Sequence, residues 1–165
     1  MSQGPVAIID ANGVYPSNLD QACLEQKLWK EGRFRELNKT NSTFVFGSNE
    51  AGHHGAGAAR YAMDKLGAVY GVAFGPTGSC FAIPTKSKTI RTLPTLIIQK
   101  YVDHFIGYAE SHPGEVFKVT QIGCGLAGLK KEQIAPMFAD APSNCFFDTD
   151  WVPLLPITAN FWGHQ

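Results

Sequence analysis

The sequence lacks a net charge, since fourteen lysines and arginines are matched by fourteen aspartates and glutamates over 165 residues. No bulk attraction to nucleic acid or to an anionic membrane is expected, and a small, locally recognised ligand fits better. The chain also lacks any apolar run approaching the roughly 20 residues of a membrane-spanning helix. Cys23, Cys80, Cys124 and Cys145 are widely spaced, with no Cys-x-x-Cys pair. The N-terminus lacks the basic and apolar regions of a signal peptide, so the expected setting is reducing and cytoplasmic. There is no convincing internal repeat and no low-complexity segment. What is present, at 44% hydrophobic residues, is enough for one domain with a core. It divides into a βα unit over 1–41, a central part over 42–151 and a tail over 152–165.

Glycine is plentiful, and one glycine-rich stretch organises the rest: Phe44-Val45-Phe46-Gly47-Ser48-Asn49-Glu50-Ala51-Gly52-His53-His54-Gly55-Ala56-Gly57-Ala58-Ala59. The β-branched and aromatic run Thr43 to Phe46 has the pattern of a buried strand. The four glycines that follow permit close approaches and backbone conformations that a Cβ forbids. From Ala58, the apolar residues Ala58, Ala59, Ala62, Met63 and Leu66 recur at helical spacing. The loop therefore feeds a helix N-terminus, whose unpaired N–H groups favour an anion such as phosphate. The plainer alternative is a tight strand-to-helix connection that needed glycine.

Before this stretch, Val6 to Ile9 reads as a short strand ending at Asp10, with Asn12-Gly13 and Pro16 marking a turn. Asp10 is either a turn-capping aspartate or a binding residue at a strand end. Ser17 and Asp20 make a capping box for a helix carrying Ala22, Cys23, Leu24, Leu28 and Trp29, which Gly32 stops.

After it, Ala68 to Phe74 is apolar and glycine-interrupted, Gly75-Pro76-Thr77-Gly78 reads as a turn, and Cys80 to Pro84 as a strand. Thr85-Lys86-Ser87-Lys88 then reads as a solvated loop, although its lysines and hydroxyls have the chemistry to touch phosphate. Leu96 to Ala109 is a strong helical pattern, with Ile97, Tyr101, Phe105 and Tyr108 in one apolar line that Ile98, Val102 and Ala109 widen. Thr92 or Thr95 is the expected cap and His112-Pro113-Gly114 the stop. His104 reads as a half-exposed helix residue.

A second glycine-rich stretch, Val116 to Leu129, repeats the logic of the first: a strand, then Gly123, Gly125 and Gly128, then a short helix near Glu132 to Phe138 that Pro136 limits. Two such loops after two strands can close on one ligand from opposite sides, at the carboxyl ends of an open α/β sheet. Asn144 to Phe147 reads as the last strand. The segment from Asp148 to Gln165, which runs into the tail, carries Trp151, Pro153, Pro156, Phe161 and Trp162. It either packs over the sheet or forms a partner or lid surface with aromatics free to stack on a base.

The succession of residues 46–59, Ala-Ile-Pro-Thr-Lys at 82–86, Ile-Gly-Cys-Gly-Leu-Ala-Gly at 122–128 and Ile-Ala-Pro-Met-Phe-Ala-Asp-Ala-Pro at 134–142 resembles macro-domain-like proteins of bacteria and their phages. The resemblance covers about residues 42–151. It implies a three-layer α/β/α fold with a mixed central sheet that binds ADP-ribose or a related nucleotide, free or attached to a protein, and it implies no cofactor. By the same resemblance, the first loop, wrapping the distal ribose and the diphosphate, would be Gly47, Ser48, Asn49, Gly52, His54, Gly55, Ala56 and Gly57. The loop closing from the other side would be Gly123, Cys124, Gly125, Leu126, Ala127 and Gly128.

The chain departs from the hydrolytic members of that family, which place an acid directly after the loop-one glycines. Here Ala56, Gly57, Ala58, Ala59 and Arg60 follow Gly55. Hydrolysis would then lean on Asn49 to orient a water and on His54 or His53 as acid or base, or on substrate phosphate. The alternative is that the two histidines only shape the loop or donate to phosphate. Cys124 reads as a small residue fitting close to a diphosphate, with an activated nucleophile as the other reading. Adjacent histidines without a nearby cysteine make a poor metal set. Three functions remain: a binder or hydrolase of an ADP-ribose-like nucleotide, a non-enzymatic module that sequesters or senses a nucleotide signal, and a cysteine-dependent enzyme.

Overall fold

The computed structural model describes residues 20–165. The expected strand Val6 to Ile9, Asp10, the turn that follows and Ser17 lie outside them. The described elements are α1 (Gln21–Lys30), β1 (Thr43–Asn49), α2 (Gly57–Lys65), β2 (Gly75–Thr77), β3 (Cys80–Lys86), α3 (Thr95–Ser111), β4 (Phe117–Val119), α4 (Lys131–Ile134), β5 (Cys145–Asp148) and β6 (Asn160–Gly163). The strands form a sheet in the order β2-β3-β1-β4-β5-β6. Only β2 runs antiparallel to its neighbour, so the sheet is mixed. The class is α/β, with helices on both faces.

Alternation along the strands makes the layers. Phe44 and Phe46 of β1 point to one face, where they pack with Cys80 and Ala82 of β3 under Ala59 and Ala62 of α2. Small residues on α2 let the helix lie close to the sheet. Val45 points the other way, with Phe81, Ile83, Phe117, Val119 and Phe147, onto Ile98, Val102, Phe105, Ile106 and Ala109 of α3. Parallel pairing explains why β1 and β3 read as nearly unbroken apolar runs.

The buried stripe of α3 is rotated from the expected line. Ile97, Tyr101 and Tyr108 flank it, because a tyrosine must keep its hydroxyl at a polar partner. The Tyr101 hydroxyl donates to the Glu50 carboxylate at 2.6 Å, and that bond pushes its pKa up to about 12. Neither threonine caps α3. Pro94 occupies the N-cap, and Thr92 bonds elsewhere. For α1 the cap is Asp20 itself, accepting from the Ala22 N–H, and Gly32 ends the turn at φ +72°.

Two expectations about the sheet are corrected. Gly75–Thr77 is a strand, the first arm of a hairpin whose turn is Gly78-Ser79. The segment after β5 does pack on the core, through Trp151, Val152 and Leu155, but its end is no lid with free aromatics: Phe161 and Trp162 are buried in β6, which pairs parallel with β5 and extends the sheet beyond the expected last strand. Trp162 donates its indole N–H to the Val119 carbonyl, and the Lys118 ammonium lies 4.4 Å from its ring. Proline-broken spacing disguised the strand, which takes its shape from the partner β5.

The end of β6 is held by His164, whose Nδ1 lies 2.8 Å from the buried Asp148 carboxylate. That hydrogen bond raises the His164 pKa above its ordinary 6.5, and the charges of Asp148, Asp150 and Glu25 act in the same sense. A raised folded pKa means the stabilisation is complete below about pH 6.5 and fades as pH rises through the folded value. With the imidazole partly exposed, the contribution is below about 1 kcal/mol. The expected result is that the melting-temperature difference between wild type and His164→Gln shrinks from pH 6 to pH 9. A constant difference would contradict it.

Candidate functional site

Chain order places one crevice in this sheet. From β1 the chain passes through α2 to β3 on one side, then crosses by α3 to β4 on the other side of β1. The loops after β1 and β4 therefore diverge, and the gap between them at the carboxyl ends of the strands is where ligands of open α/β sheets bind. A cavity of about 570 Å³ lies there, within the size range of small-molecule sites. Its walls are Gly47, Ser48 and Asn49 at the end of β1, His53 and 55–59 from the first loop and the start of α2, Thr85 and Lys86 at the end of β3 with Ile90 from the turn after it, and 120–123 with 125–127 from the second loop.

The first loop is rigid for reasons visible in its contacts. A register irregularity between Ser48 and Asn49 turns Asn49 out of the regular pleat. Both ends of its amide bind the His53 backbone: Nδ2 donates to the carbonyl at 2.7 Å and Oδ1 accepts from the N–H at 3.0 Å. Asn49 is thus a loop staple, with one amide N–H and one carbonyl lone pair spent on the His53 backbone. Ser48 donates its hydroxyl to the Ala73 carbonyl, away from bulk solvent. Gly52 lies on Gly71, whose N–H donates to the Gly52 carbonyl at 2.8 Å.

The two histidines separate sharply. His53 is exposed, lines the cavity and stacks on Tyr70 with centroids 5.0 Å apart. His54 is fully buried, with Nε2 3.1 Å from the Val69 carbonyl and its ring edge-on to Phe46. Burial lowers its pKa, against the pull of the Val69 and Val72 carbonyls. This imidazole braces the loop from behind.

The loop then runs into α2. Its N-cap, Ala56, is extended and offers no side-chain hydrogen bond, so the first N–H groups of the helix have no cap at the point where residues 56–59 form the cavity wall. Those donors and the helix dipole favour negative charge.

On the opposite wall, Thr120 donates its hydroxyl to the Val45 carbonyl at 2.7 Å, holding the exit of β4 beside β1. A Cβ placed on Gly47 would sit 3.4 Å from the Gly123 N–H nitrogen, so the two loops meet backbone to backbone at the cavity floor. Gly123 and Gly128 both have φ of +75°, which suits glycine. The Thr92 hydroxyl donates to the Ala127 carbonyl at 2.6 Å and ties this loop to the turn after β3. Cys124 turns away, half-buried against the core. Burial first, then the charges of Asp150 and Glu132, push its thiol up to about 11. That direction is opposite to the activated nucleophile.

Of the residues expected at the site, Gly47, Ser48, Asn49, Gly55, Ala56, Gly57, Gly123, Gly125, Leu126 and Ala127 line the cavity, while Gly52, His54, Cys124 and Gly128 shape its loops from outside. Lys86 is the correction in the other direction: it lies within β3 paired to Asn49, not in a solvated loop, and is the one lysine or arginine among the described residues of the wall. The signal for it was its position at the end of a strand flanking the glycine-rich one. Ile90, Thr120, Gln121 and Ile122 gave no such signal. No aspartate or glutamate appears among the described residues of the wall.

No family model matches the chain, and no curated protein matches it. Among solved structures it is similar to a protein of unknown function from Bacteroides thetaiotaomicron, at 16% identity and a TM-score of 0.45, over 65% of this chain and 87% of that one. It is also similar to Thermosipho africanus DarTG, solved in complex with ADP-ribose, at 15% identity and a TM-score of 0.49, over 74% of this chain and 44% of that one.

Proposed function

We propose that this chain is a macro-domain-like module that binds ADP-ribose, or a nucleotide derived from it, between its two glycine-rich loops. The observation that carries this is the cavity itself: two glycine-rich loops facing one another at the sheet's switch point, with an uncapped helix N-terminus and Lys86 in the wall and no carboxylate among its described residues. Such a surface is complementary to a diphosphate. The motifs over 46–59 and 122–128, which resemble the macro-domain-like group, fall on these two loops.

Within this reading the geometry favours binding over hydrolysis. Asn49 is tied to the His53 backbone, His54 is sealed in the core and Cys124 faces away, which leaves His53 as the one imidazole lining the cavity. Sequestering or sensing an ADP-ribose-like signal needs no more than this. Cleavage of an ADP-ribosyl or phosphate linkage would rest on His53 or on the substrate's own phosphate.

Isothermal titration with ADP-ribose tests the proposal. Wild type is expected to bind near the micromolar range, about −8 kcal/mol. Lys86→Ala is expected to weaken binding about tenfold or more, since a charge-assisted bond contributes about 1.5–3 kcal/mol, and the loss should diminish at high salt. Absence of heat with wild type would remove ADP-ribose as the ligand.

A further inference from the structure

Among the described residues, Ile90 is the single non-glycine with positive φ, at 63°. A β-branched side chain in that region is a true outlier. Such a conformation is strained, and burial does not explain it, since Ile90 remains 46% exposed. The surrounding turn imposes the conformation. Ser87 receives the N–H groups of Thr89 and Arg91 on its hydroxyl at 3.3 Å each, its own N–H donates to the Arg91 carbonyl at 2.7 Å, and the Ile90 N–H donates back to the Ser87 carbonyl at 2.9 Å. The result is an isoleucine side chain held on the cavity wall.

A second exposed apolar side chain shares that cavity. Leu126, 69% exposed, extends from the second loop with Cδ1 3.5 Å from where a Gly57 Cβ would be. The Thr92 to Ala127 hydrogen bond links the two segments one and two residues from these side chains. Two large, exposed apolar side chains held at the rim of one glycine-rich cavity point to a ligand surface that covers them.

We infer that Ile90 is a specificity-determining residue, kept in its strained conformation so that it and Leu126 grip the flat apolar face of the ligand's nucleoside part while the diphosphate occupies the glycine-rich floor. This rests on the nucleotide reading above and adds which part of the ligand the β3 turn recognises. Removing the side chain then separates two quantities that usually move together. Ile90→Gly relieves the strain and exposes no core, so the fold becomes more stable while the grip is lost.

The test uses the whole chain with three variants and two ligands, ADP-ribose and ribose 5-phosphate, which has no base. Ile90→Gly is expected to raise the melting temperature and to weaken ADP-ribose about five- to tenfold, the worth of burying roughly half an isoleucine, while ribose 5-phosphate binding is unchanged. Ile90→Val, which keeps the β-branch, should retain most of the affinity, and Ile90→Asn, which tolerates the conformation without an apolar face, should behave as the glycine variant does. Equal weakening of both ligands, or a fall in melting temperature alongside affinity, would assign Ile90 a structural role and overturn the inference. Unchanged ADP-ribose affinity in Ile90→Gly would overturn it while leaving the nucleotide reading intact. Absence of wild-type binding to both ligands would overturn the two together.

Discussion

Gly125→Glu is expected to abolish ADP-ribose binding while leaving the fold intact. The position is suited to such a test because it separates charge from sterics. Gly125 lies outside the left-handed region, and a Cβ built on it meets nothing within 4 Å. The longer side chain therefore enters the cavity from the second loop without displacing its neighbours. It brings a carboxylate to a wall whose described residues hold none, opposite the uncapped start of α2 and Lys86. A diphosphate would then face a like charge where it had faced donors, a juxtaposition that costs several kcal/mol, and the glutamate would itself compete for Lys86. A loss of at least about a hundredfold, some 3 kcal/mol, is the expected reading by titration, with a melting temperature near that of wild type. Gly125→Ala adds the same Cβ without the charge and should bind nearly as wild type does. Wild-type affinity in Gly125→Glu would place the ligand's phosphates elsewhere, and equal losses in both variants would make the effect one of loop shape.

How much of the fold and site is legible in the sequence depends on whether a feature is local. The run from Thr43 to Phe46 and the stretch from Ile97 to Ala109 declare strand and helix because their periodicities are properties of short segments. The glycine spacing of both loops is local too, so the two walls of the cavity could be named. Pairing is not local. Asn160–Gly163, placed after two prolines, becomes a strand because β5 presents an open edge, and Gly75–Thr77 does so because it folds back on β3. The same limit governs the site. His53 and His54 are neighbours in sequence and look equivalent. Which one faces the cavity is decided by the Val69 carbonyl and the Phe46 ring, which belong to other segments. Lys86 looked like solvent because the end of β3 is set by its register with Asn49 of β1. Ile90 was invisible, since nothing in the letters Ser-Lys-Thr-Ile-Arg announces a left-handed isoleucine. Its conformation comes from hydrogen bonds of Ser87 that form only when the turn closes.

Gly52→Ala carries the largest expected effect on the loop itself, and it tests whether the brace behind the cavity matters as much as the wall. Gly52 has φ of +72°, and its missing Cβ would lie 2.5 Å from the Gly71 carbonyl carbon and 2.7 Å from its Cα and oxygen. All three are backbone atoms, so no rotamer change relieves the clash. The hydrogen bonds from Gly71 to Gly52 and from Gly52 to Asn49 hold the two segments at that distance. Conformational strain of about 1–2 kcal/mol adds to the cost of separating two packed backbones, for a total of about 3–4 kcal/mol, at the upper end of ordinary single substitutions. For a chain of this length that is a fall of roughly 10 °C in melting temperature. Gly78→Ala supplies the comparison, because its Cβ would meet the Gly67 carbonyl oxygen at 2.3 Å with φ of +55°, yet neither residue lines the cavity. Both variants should be destabilised to a similar degree, whereas only Gly52→Ala should also weaken ADP-ribose, because parting Gly52 from Gly71 releases the turn that Asn49 staples and with it His53 and the entry to α2. Gly55→Ala, with open space around it, should leave stability unchanged. If Gly52→Ala melts lower but binds as tightly as wild type, the 69–72 segment is no brace for the site, and the rigidity of the first loop must come from Asn49 alone.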